Sequence, residues 1–253
     1  MTIIITPMNN HDNEQRYSRH LSLQGLGESG QAKLRQARVL VIGVGGLGCP
    51  LSLYLAASGV GILGLIDPDR VSLSNLNRQI LFETADIGRL KTDAAADRLE
   101  ELNPEIQTEL HPFKLDAHNA EKMIAQYDVV ADGSDNPETR YLVNATCHSL
   151  RKPLISAAIH GWEGQLYRFD TSSGSACYQC LYPDSPLKGE TPTCAESGVL
   201  SPLAGMMGSW QAAETVKQIV NIGETSILHR IDLISGTSKQ AKIQKDSACP
   251  VCS

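Results

Sequence analysis

Residues 38–48 read RVLVIGVGGLG, and this stretch decides the fold. The β-branched run Arg38–Ile42 predicts a short buried strand, and the residues from Gly43 to Gly48 form a G-x-G-x-x-G loop that opens a helix. Such a loop needs glycines because any side chain would keep a phosphate away from the backbone, and the helix N-terminus favours negative charge. The stretch therefore predicts the first strand, loop and helix of a nucleotide-binding α/β fold.

The second predicted strand, 62–67, ends on an acidic residue. Asp67 lies 24 positions after Gly43, a spacing that suits a carboxylate accepting hydrogen bonds from a ribose hydroxyl. The loop glycines that would face the nucleotide are Gly43, Gly45, Gly46 and Gly48. The alternative, that these glycines only allow tight packing of helix on sheet, is disfavoured by the strand before the loop and the acid after it. At this point NAD fits the pattern as well as ATP does.

Strand and helix patterns alternate along the first 160 residues. The segment Lys91–Leu102 (KTDAAADRLEEL) contains helix formers throughout and ends before Asn103-Pro104. Further predicted strands are 106–111, 127–131 and 153–158, and further predicted helices are 47–58, 117–126 and 138–150. This alternation indicates a Rossmann-like, doubly wound and mostly parallel sheet covered by helices. Beyond Gly164, strands at 165–169, 227–234 and 240–244 with a helix at 203–220 indicate a mixed or antiparallel C-terminal extension.

Length and composition agree with one large α/β domain or two small ones. The chain has 253 residues, 42% of them hydrophobic and 20% charged, which excludes disorder for its bulk. Its formal net charge of −6 argues against a nucleic-acid-binding surface. Residues 39–66 carry no charge, but seven glycines and Pro50 interrupt them, so a buried strand–loop–helix–strand is favoured over a membrane span. The N-terminus has no signal-peptide pattern, and we predict a cytoplasmic protein.

The segment after Asp67 discriminates between nucleotides. It reads DPDRVSLSNLNRQILF over 67–82 and DIGRLK over 86–91. A dehydrogenase needs few cations here, whereas a triphosphate needs cationic groups on its phosphates and a divalent ion held by a carboxylate. The polar candidates are Asp67, Asp69, Asn75, Arg78, Gln79 and Lys91. A solvated loop would explain any one of them, but explains the cluster less well.

Two further carboxylates follow the strand predicted at 127–131. Asp132 and Asp135 lie in the sequence ADGSDN, and the carboxyl edge of the sheet is where doubly wound folds bind ligands. One of Asp135 and Asn136 is expected to cap the helix that starts near Pro137. The other is then available for a metal ion.

The seven cysteines predict a metal site rather than a disulfide framework. They lie at positions 49, 147, 177, 180, 194, 249 and 252. Four of them form two C-x-x-C pairs, Cys177/Cys180 and Cys249/Cys252, which supply the closed set of four thiolates typical of structural zinc in a reducing cytosol. Redox dithiols and free buried cysteines are the alternatives. Cys49 and Cys147 lie inside predicted helices and are expected to be packing residues.

Taken together, these motifs resemble the MoeB/ThiF adenylyltransferases, bacterial relatives of the ubiquitin-activating enzymes. The resemblance runs from about residue 16 to residue 252, and SNLNRQ at 74–79 is more specific than the glycine loop. The motifs that carry it are GVGGLG, DPD at 67–69, SNLNRQ, Lys91, SDN at 134–136 and the two C-x-x-C pairs.

The resemblance implies ATP- and magnesium-dependent adenylation of a small ubiquitin-like sulfur carrier, ThiS- or MoaD-like, at the C-terminal glycine of its Gly-Gly end. Pyrophosphate would be released, and the pathway would be thiamin, molybdenum cofactor or tRNA thiolation. It further implies that Asp67 holds the ribose, that Asp135 positions magnesium, and that Arg19 reaches the ATP of the partner subunit in a homodimer. The residues that it assigns to the phosphates are Asn75, Arg78, Gln79 and Lys91.

The resemblance also frames the domain prediction. We expect a flexible tail over 1–15 and a single adenylyltransferase domain over 16–253. Its nucleotide-binding part would cover 16–160, and the mixed extension over 161–253 would carry the zinc knuckles and the carrier-binding surface. No C-terminal rhodanese-like domain of the kind found in some relatives is seen, so a separate persulfide donor is expected if sulfur is mobilised.

Several alternatives stay open at this stage. Cys194 matches a cysteine that takes part in sulfur transfer in ThiF-like members, and an incidental loop thiol is as good an explanation. A dehydratase-type relative that activates a small tRNA base is another family branch. Outside the family, the rivals are an NAD-dependent oxidoreductase that uses the same loop and a non-catalytic scaffold.

Overall fold

The computed structural model describes residues 15–171, 175–185 and 198–253. Its helices are α1 (Ser18–Leu21), α2 (Gly27–Gln36), α3 (Gly48–Ala57), α4 (Lys91–Leu102), α5 (Ala120–Ala125), α6 (Pro137–Ser149), α7 (Tyr178–Leu181) and α8 (Ser201–Val220). Its strands are β1 (Arg38–Ile42), β2 (Ile62–Ile66), β3 (Gln107–His111), β4 (Val129–Asp132), β5 (Leu154–His160), β6 (Glu163–Phe169), β7 (Ile227–Asp232) and β8 (Thr237–Lys242). Two 3₁₀ turns lie at Leu73–Asn75 and Thr84–Asp86.

The strands form one sheet in the order β3-β2-β1-β4-β5-β6-β7-β8. The first five strands are parallel, with Arg38 opposite Ile62 and Val39 opposite Val129 in the registers that flank β1. From β5 onward the pairing is antiparallel. This arrangement confirms the predicted doubly wound, mostly parallel sheet with an antiparallel C-terminal extension.

Both faces of β1 are buried, as its unbroken apolar sequence predicts. Val39 and Val41 pack into the core under α2, α3, α4 and α8, while Leu40 and Ile42 pack into the core on the opposite face. The second core also holds a large aromatic residue, the fully buried Tyr127. The strand is therefore covered on both sides, which fixes the position of the loop that follows it.

Helix α8 ties the C-terminal part of the chain to the nucleotide-binding part. It packs against α3, and Gly208 permits this contact because a Cβ there would lie 2.3 Å from the backbone oxygen of Leu47. The side chain of Gln211 donates hydrogen bonds to the backbone oxygens of Asp132 (2.9 Å) and Ile155 (3.0 Å), which lie on neighbouring strands. The predicted packing of the extension on the first part follows from these contacts.

The uncharged stretch 39–66 is divided among β1, α3 and β2 and is not one continuous helix. None of the helices in the described part of the chain combines the length and the apolar character needed to cross a membrane. The interrupting glycines act as the sequence predicts, since Gly43 and Gly59 adopt positive φ angles of 84° and 78° at the ends of β1 and α3.

Some predicted boundaries shift for local reasons. The helix expected over 117–126 is shortened to α5 because the carboxylate of Asp116 accepts hydrogen bonds from the backbone of His118 (2.8 Å) and Asn119 (3.2 Å) and holds them in a turn. The sequence over 16–36 predicts short helical pieces broken by Gly25, Gly27 and Gly30. Gly25 and Gly27 have positive φ, with Gly25 between α1 and α2 and Gly27 at the start of α2, whereas Gly30 lies inside α2. The tail over 1–14 lies outside the described residues, so its flexibility stays a prediction.

Candidate active site

The candidate site lies at the carboxyl edge of the sheet, between the strands that flank β1. The chain moves from β1 to β2 on one side and later returns to β4 on the other, and such a switch point is where doubly wound folds bind ligands. A cavity of about 250 Å³ opens here. The predicted site residues on its lining are Gly43, Gly45, Gly46, Asp67, Arg78, Gln79, Lys91 and Asp135.

The glycine loop is built by two close backbone approaches. Gly43 has a φ of +84°, and a Cβ there would lie 3.3 Å from the backbone oxygen of Gly133 in the loop after β4. A Cβ at Gly48 would lie only 1.9 Å from the backbone oxygen of Gly43. Gly48 therefore does not line the cavity; it lets the first turn of α3 close against the loop that does.

Substitution of Gly48 gives a direct test of this loop geometry. Gly48→Ala is expected to weaken ATP binding by at least about tenfold, because the added methyl group must push the loop away from the helix start. Gly205→Ala is the matched control, since Gly205 lies in α8 and a Cβ there meets no atom within 4 Å. Calorimetry with ATP should separate the two variants; equal affinity in both would contradict the role of Gly48.

Asp67 is a buried carboxylate held in one orientation. One oxygen accepts a hydrogen bond from the backbone N–H of Val44 (2.8 Å) and the other from that of Asp69 (2.9 Å). Burial raises the pKa of Asp67 above its ordinary value, and Lys91 and the two backbone donors oppose that shift. The first of these bonds ties the second strand to the glycine loop, so the acid at the end of β2 also shapes the loop.

Lys91 places a buried cation on the cavity lining. Its side chain is 5% exposed, and its ammonium lies 2.8 Å from the carboxylate of Asp69 and 3.8 Å from that of Asp67. The residue starts α4, where a positive charge is disfavoured by the helix dipole. Two carboxylates therefore face this buried cation and offset the loss of its contact with water.

Arg78 is oriented by its own loop. Its guanidinium donates to the side-chain oxygens of Asn75 (3.1 Å) and Asn77 (3.2 Å) and to the backbone oxygen of Ser74 (3.3 Å). Asn75, which the resemblance assigns to the phosphates, does not line the cavity and accepts from Arg78 instead. Gln79 is buried on the lining, and its side-chain oxygen has no hydrogen-bond partner among the described residues. The SNLNRQ motif thus presents one half-buried cation in a fixed position.

The loop after β4 presents Asp135 to the cavity. The buried carboxylate of Asp132 turns inward and accepts hydrogen bonds from the backbone of Ser134 and the hydroxyl of Ser156, both at 3.0 Å. The side chain of Asn136 accepts from the backbone N–H of Thr139 (2.9 Å) and caps α6. Asp132 is therefore structural, and the exposed carboxylate of Asp135 makes no hydrogen bond or ion pair with any described residue.

Four polar residues on the lining were missed by sequence reasoning: Lys114, Ser134, Thr139 and Arg140. Arg140 is buried and donates a hydrogen bond to the backbone oxygen of Ser134. This bond holds the loop after β4, which carries Asp135. Arg140 lies one turn after the helix cap Asn136, and helical side chains point back toward the N-terminus, so this position could have been found. Lys114 follows β3, whose carboxyl end lies at the same edge of the sheet.

Two further predicted residues, Arg19 and Cys194, remain to be placed. Arg19 lies on α1, is exposed, and is not on the cavity lining of its own chain. Cys194 lies within 186–197, outside the described residues, so its role in sulfur transfer stays a prediction. Cys49 and Cys147 are buried in α3 and α6, and burial raises the pKa of both thiols, to about 12 for Cys49. They are packing residues, as predicted.

The two C-x-x-C pairs meet in one cluster. The Sγ atoms of Cys177 and Cys249 lie 3.6 Å apart, those of Cys180 and Cys252 lie 3.3 Å apart, and all four lie within 4.8 Å of one another. A tetrahedral zinc ion with Zn–S bonds of about 2.3 Å requires S–S edges of about 3.8 Å. The four thiols therefore fit a closed zinc site.

Neighbouring groups hold this cluster in place. The side chain of Asn144 donates to the Sγ of Cys177 (3.6 Å) and accepts from the backbone N–H of Tyr178 (2.9 Å). The backbone N–H of Asp246 points at the Sγ of Cys180 at 3.4 Å. Such donors orient thiolates around a metal ion. Because Asn144 lies on α6, the cluster joins the last residues of the chain to the helix that begins at the cavity.

Comparison with known proteins agrees with this geometry. The model of the ThiF family matches residues 17–251, nearly the whole chain. The chain belongs to the ThiF family. Relatives of this ThiF-family chain include the sulfur carrier protein adenylyltransferase of Thermus thermophilus, 41% identical over 243 residues that cover 94% of this chain and 90% of that protein. The predicted resemblance to MoeB/ThiF proteins is thus confirmed, and the relative's name gives the predicted enzyme class.

A second group of relatives is longer than this ThiF-family chain. The adenylyltransferase and sulfurtransferase MOCS3 of Culex quinquefasciatus is 43% identical over 254 residues, which cover 98% of this chain but 57% of that protein. The chain therefore spans little more than half the length of such relatives. Among solved structures, E. coli MccB with MccA-N7isoASN superposes with a TM-score of 0.84 at 25% identity, covering 96% of this chain and 75% of that one. A structure of MccB with ATP gives a TM-score of 0.80 at 25% identity, covering 98% and 75%.

Proposed function

We propose that this ThiF-family chain adenylates the C-terminal glycine carboxylate of a small ubiquitin-like sulfur carrier, using ATP and magnesium and releasing pyrophosphate. One observation supports this most strongly. A single cavity at the switch point of the sheet is lined by the glycine loop, by the two cations Arg78 and Lys91, and by Asp67, the carboxylate expected to hold the ribose. The similarity to the Thermus sulfur carrier protein adenylyltransferase over nearly its full length supports a sulfur carrier as the substrate.

The reaction brings two anions together, so the residues of the cavity must neutralise negative charge. A carboxylate oxygen of the carrier attacks the α-phosphorus, the bond to the bridging oxygen of pyrophosphate breaks, and the pyrophosphate leaves with its electron pair. Lys91 and Arg78 neutralise the phosphate charge, and Asp67 orients the ribose. Positioning and charge neutralisation carry such a step, so no side-chain nucleophile or general base is required.

The residues present fit a magnesium ion. Magnesium in nucleotide sites is held by one or two carboxylates together with substrate phosphates. Asp135 supplies one exposed carboxylate on the lining, and Asn136 beside it is the one occupied with capping α6. When bound, the metal would add positive charge next to the phosphates, and Asp135 is the residue that would hold it.

The same proposal includes a structural zinc ion and a homodimer. Cys177, Cys180, Cys249 and Cys252 would hold the zinc, which stabilises the fold and leaves no coordination position open for catalysis. Arg19 is exposed and away from its own cavity, which is compatible with a contact to the ATP of the partner subunit. A separate persulfide donor and a role for Cys194 belong to a later sulfur step that adenylation does not require.

The charged residues on the cavity lining argue against the two rival functions. An NAD-dependent oxidoreductase would need few cations around its phosphates, whereas the described residues on this cavity lining include four cations, Arg78, Lys91, Lys114 and Arg140. A scaffold without activity would not need Lys91 buried between two carboxylates. Both features favour a triphosphate as the ligand.

Carrier-dependent exchange tests the proposal. The chain is incubated with ATP, magnesium, labelled pyrophosphate and one carrier at a time, ThiS-like or MoaD-like. Label is expected to enter ATP with one carrier and not without it, because reversal of the adenylation step regenerates ATP. A carrier that lacks its final glycine is the control and should give background exchange. Exchange that does not depend on any carrier, or NAD binding in place of ATP binding, would contradict the proposal.

A further inference from the structure

Asp69 differs from the other polar residues of the predicted cluster. It is not on the cavity lining, although Asp67 and Lys91 on either side of it are. Its side chain is 64% exposed, and its carboxylate approaches the ammonium of Lys91 at 2.8 Å. A residue outside the cavity that pairs with a cation on the lining reaches the ligand only through that cation.

Asp69 joins Asp67 and Lys91 by three separate contacts. Its backbone N–H donates to the carboxylate of Asp67 (2.9 Å), and its backbone oxygen accepts from the N–H of Lys91 (3.0 Å). Its carboxylate accepts from the ammonium of Lys91 (2.8 Å). A further pairing, the antiparallel bridge between Arg70 and Leu90, keeps the two chain segments side by side. The backbone contacts do not depend on the ion pair, so the carboxylate can be removed without separating the segments.

We propose that Asp69 is a positioning residue that aims the Lys91 ammonium into the cavity and does not itself touch the nucleotide or its metal ion. The inference rests on the proposed function, since it concerns the cation that would meet the phosphates. The ammonium has a flexible stem, and its other carboxylate partner among the described residues is Asp67, at 3.8 Å. Without Asp69, it would be drawn onto the Asp67 carboxylate and away from the phosphates.

Position 69 requires the negative charge of a carboxylate, and an amide of the same shape would not replace it. Lys91 sits at the N-terminus of α4, where the helix dipole disfavours its charge. An asparagine at position 69 would keep the shape and the backbone contacts but would remove the negative charge that balances the ammonium. Asp69→Asn is therefore the informative variant, and Asp69→Glu keeps the charge.

Binding of ATP with magnesium to the carrier-free chain is the first measurement. Asp69→Asn is expected to raise the Kd for ATP about tenfold, and Asp69→Glu should recover most of that loss. The matched control is Asp97→Asn: Asp97 lies on α4 with the same 64% side-chain exposure and pairs with Arg89, away from the cavity. Its Kd is expected to be unchanged. An Asp69→Asn variant with unchanged or tighter ATP binding would overturn the inference.

A double-mutant cycle then separates positioning from direct contact. Lys91→Met keeps the bulk of the side chain and removes its charge, so the fold is retained. If Asp69 acts through Lys91, Asp69→Asn changes the Kd less than about twofold in the Lys91→Met background. If Asp69 touches the nucleotide or magnesium itself, the tenfold loss of ATP affinity persists in the Lys91→Met background. In the Asp69→Asn single variant, the magnesium concentration for half-maximal exchange would then also rise. Either of the latter results would refute the positioning role.

Failure of the wider proposal would look different. If the unaltered chain binds no ATP, the proposed function itself is wrong. If the unaltered chain binds ATP and shows carrier-dependent exchange, but the two substitutions add independently, only the role of Asp69 is wrong.

Discussion

Arg78→Ala and Lys91→Ala are each expected to abolish carrier-dependent exchange of pyrophosphate into ATP, with a loss of about 10³-fold. Removing one preorganised donor that meets developing charge in a water-poor site costs about 10²–10³-fold, and these cations serve a step in which two anions approach. Arg78 gives the cleaner test, because its hydrogen bonds within the described part of the chain run to its own loop. Exchange of labelled pyrophosphate, with saturating carrier, is the measurement.

The fold is expected to survive both changes, which circular dichroism and thermal unfolding would check. Lys91→Ala should lower the melting temperature more than Arg78→Ala, because it leaves the buried Asp67 without its nearby cation. Arg98→Ala is the control: Arg98 is an exposed arginine on α4 that pairs with Glu101 at 3.1 Å. Exchange that is unchanged in both Arg78→Ala and Lys91→Ala would refute the phosphate roles.

Loss of the metal cluster is expected to give the second large effect, on stability. Cys249→Ser should lower the melting temperature by roughly 10 °C, since a structural zinc site contributes several kcal/mol and 1 kcal/mol shifts a chain of this size by about 2–4 °C. The last residues would lose their link to α6, which runs through Cys177 and Asn144. Activity per folded molecule should fall much less than stability.

Zinc content separates this effect from ordinary packing. The unaltered chain is expected to carry one zinc ion per chain by elemental analysis, and Cys249→Ser to carry much less. Cys147→Ala is the matched control, because Cys147 is fully buried in α6 but does not belong to the cluster. It should retain the metal and lose only the stability expected for a small cavity. One zinc ion per chain in Cys249→Ser would contradict the predicted ligand set.

Much of the fold could be read from the sequence because local signals were strong. The helix over Lys91–Leu102 was predicted to the residue, since helix formers fill it and Asn103-Pro104 stops it. The central strands were predicted within about two residues because a strand buried on both faces is a short, unbroken apolar run. The change from parallel to antiparallel pairing was signalled beyond Gly164, where a single predicted helix accompanies three predicted strands and the strict helix–strand alternation ends.

The site was less predictable where roles depend on contacts across the fold. Sequence alone could not decide which carboxylate at the end of β4 turns inward. In the structure it is Asp132, whose carboxylate accepts a hydrogen bond from the buried hydroxyl of Ser156 on β5. Arg140 carries one sequence signal, its position one turn after the helix cap Asn136, which indicates that its side chain points back toward the cavity end of α6. The ion pair between Asp69 and Lys91 depends on the antiparallel β-bridge between Arg70 and Leu90, which brings together residues 20 positions apart in the sequence.

The acyl-adenylate itself is the most direct test of the central claim. The chain is mixed with ATP, magnesium and a carrier that ends in Gly-Gly, the mixture is quenched in acid, and the intact carrier is weighed by mass spectrometry. We expect carrier that is heavier by one AMP at its C-terminal glycine, and none with Lys91→Ala. If carriers of every class keep their mass unchanged while ATP is bound or consumed, the proposed adenylation is contradicted.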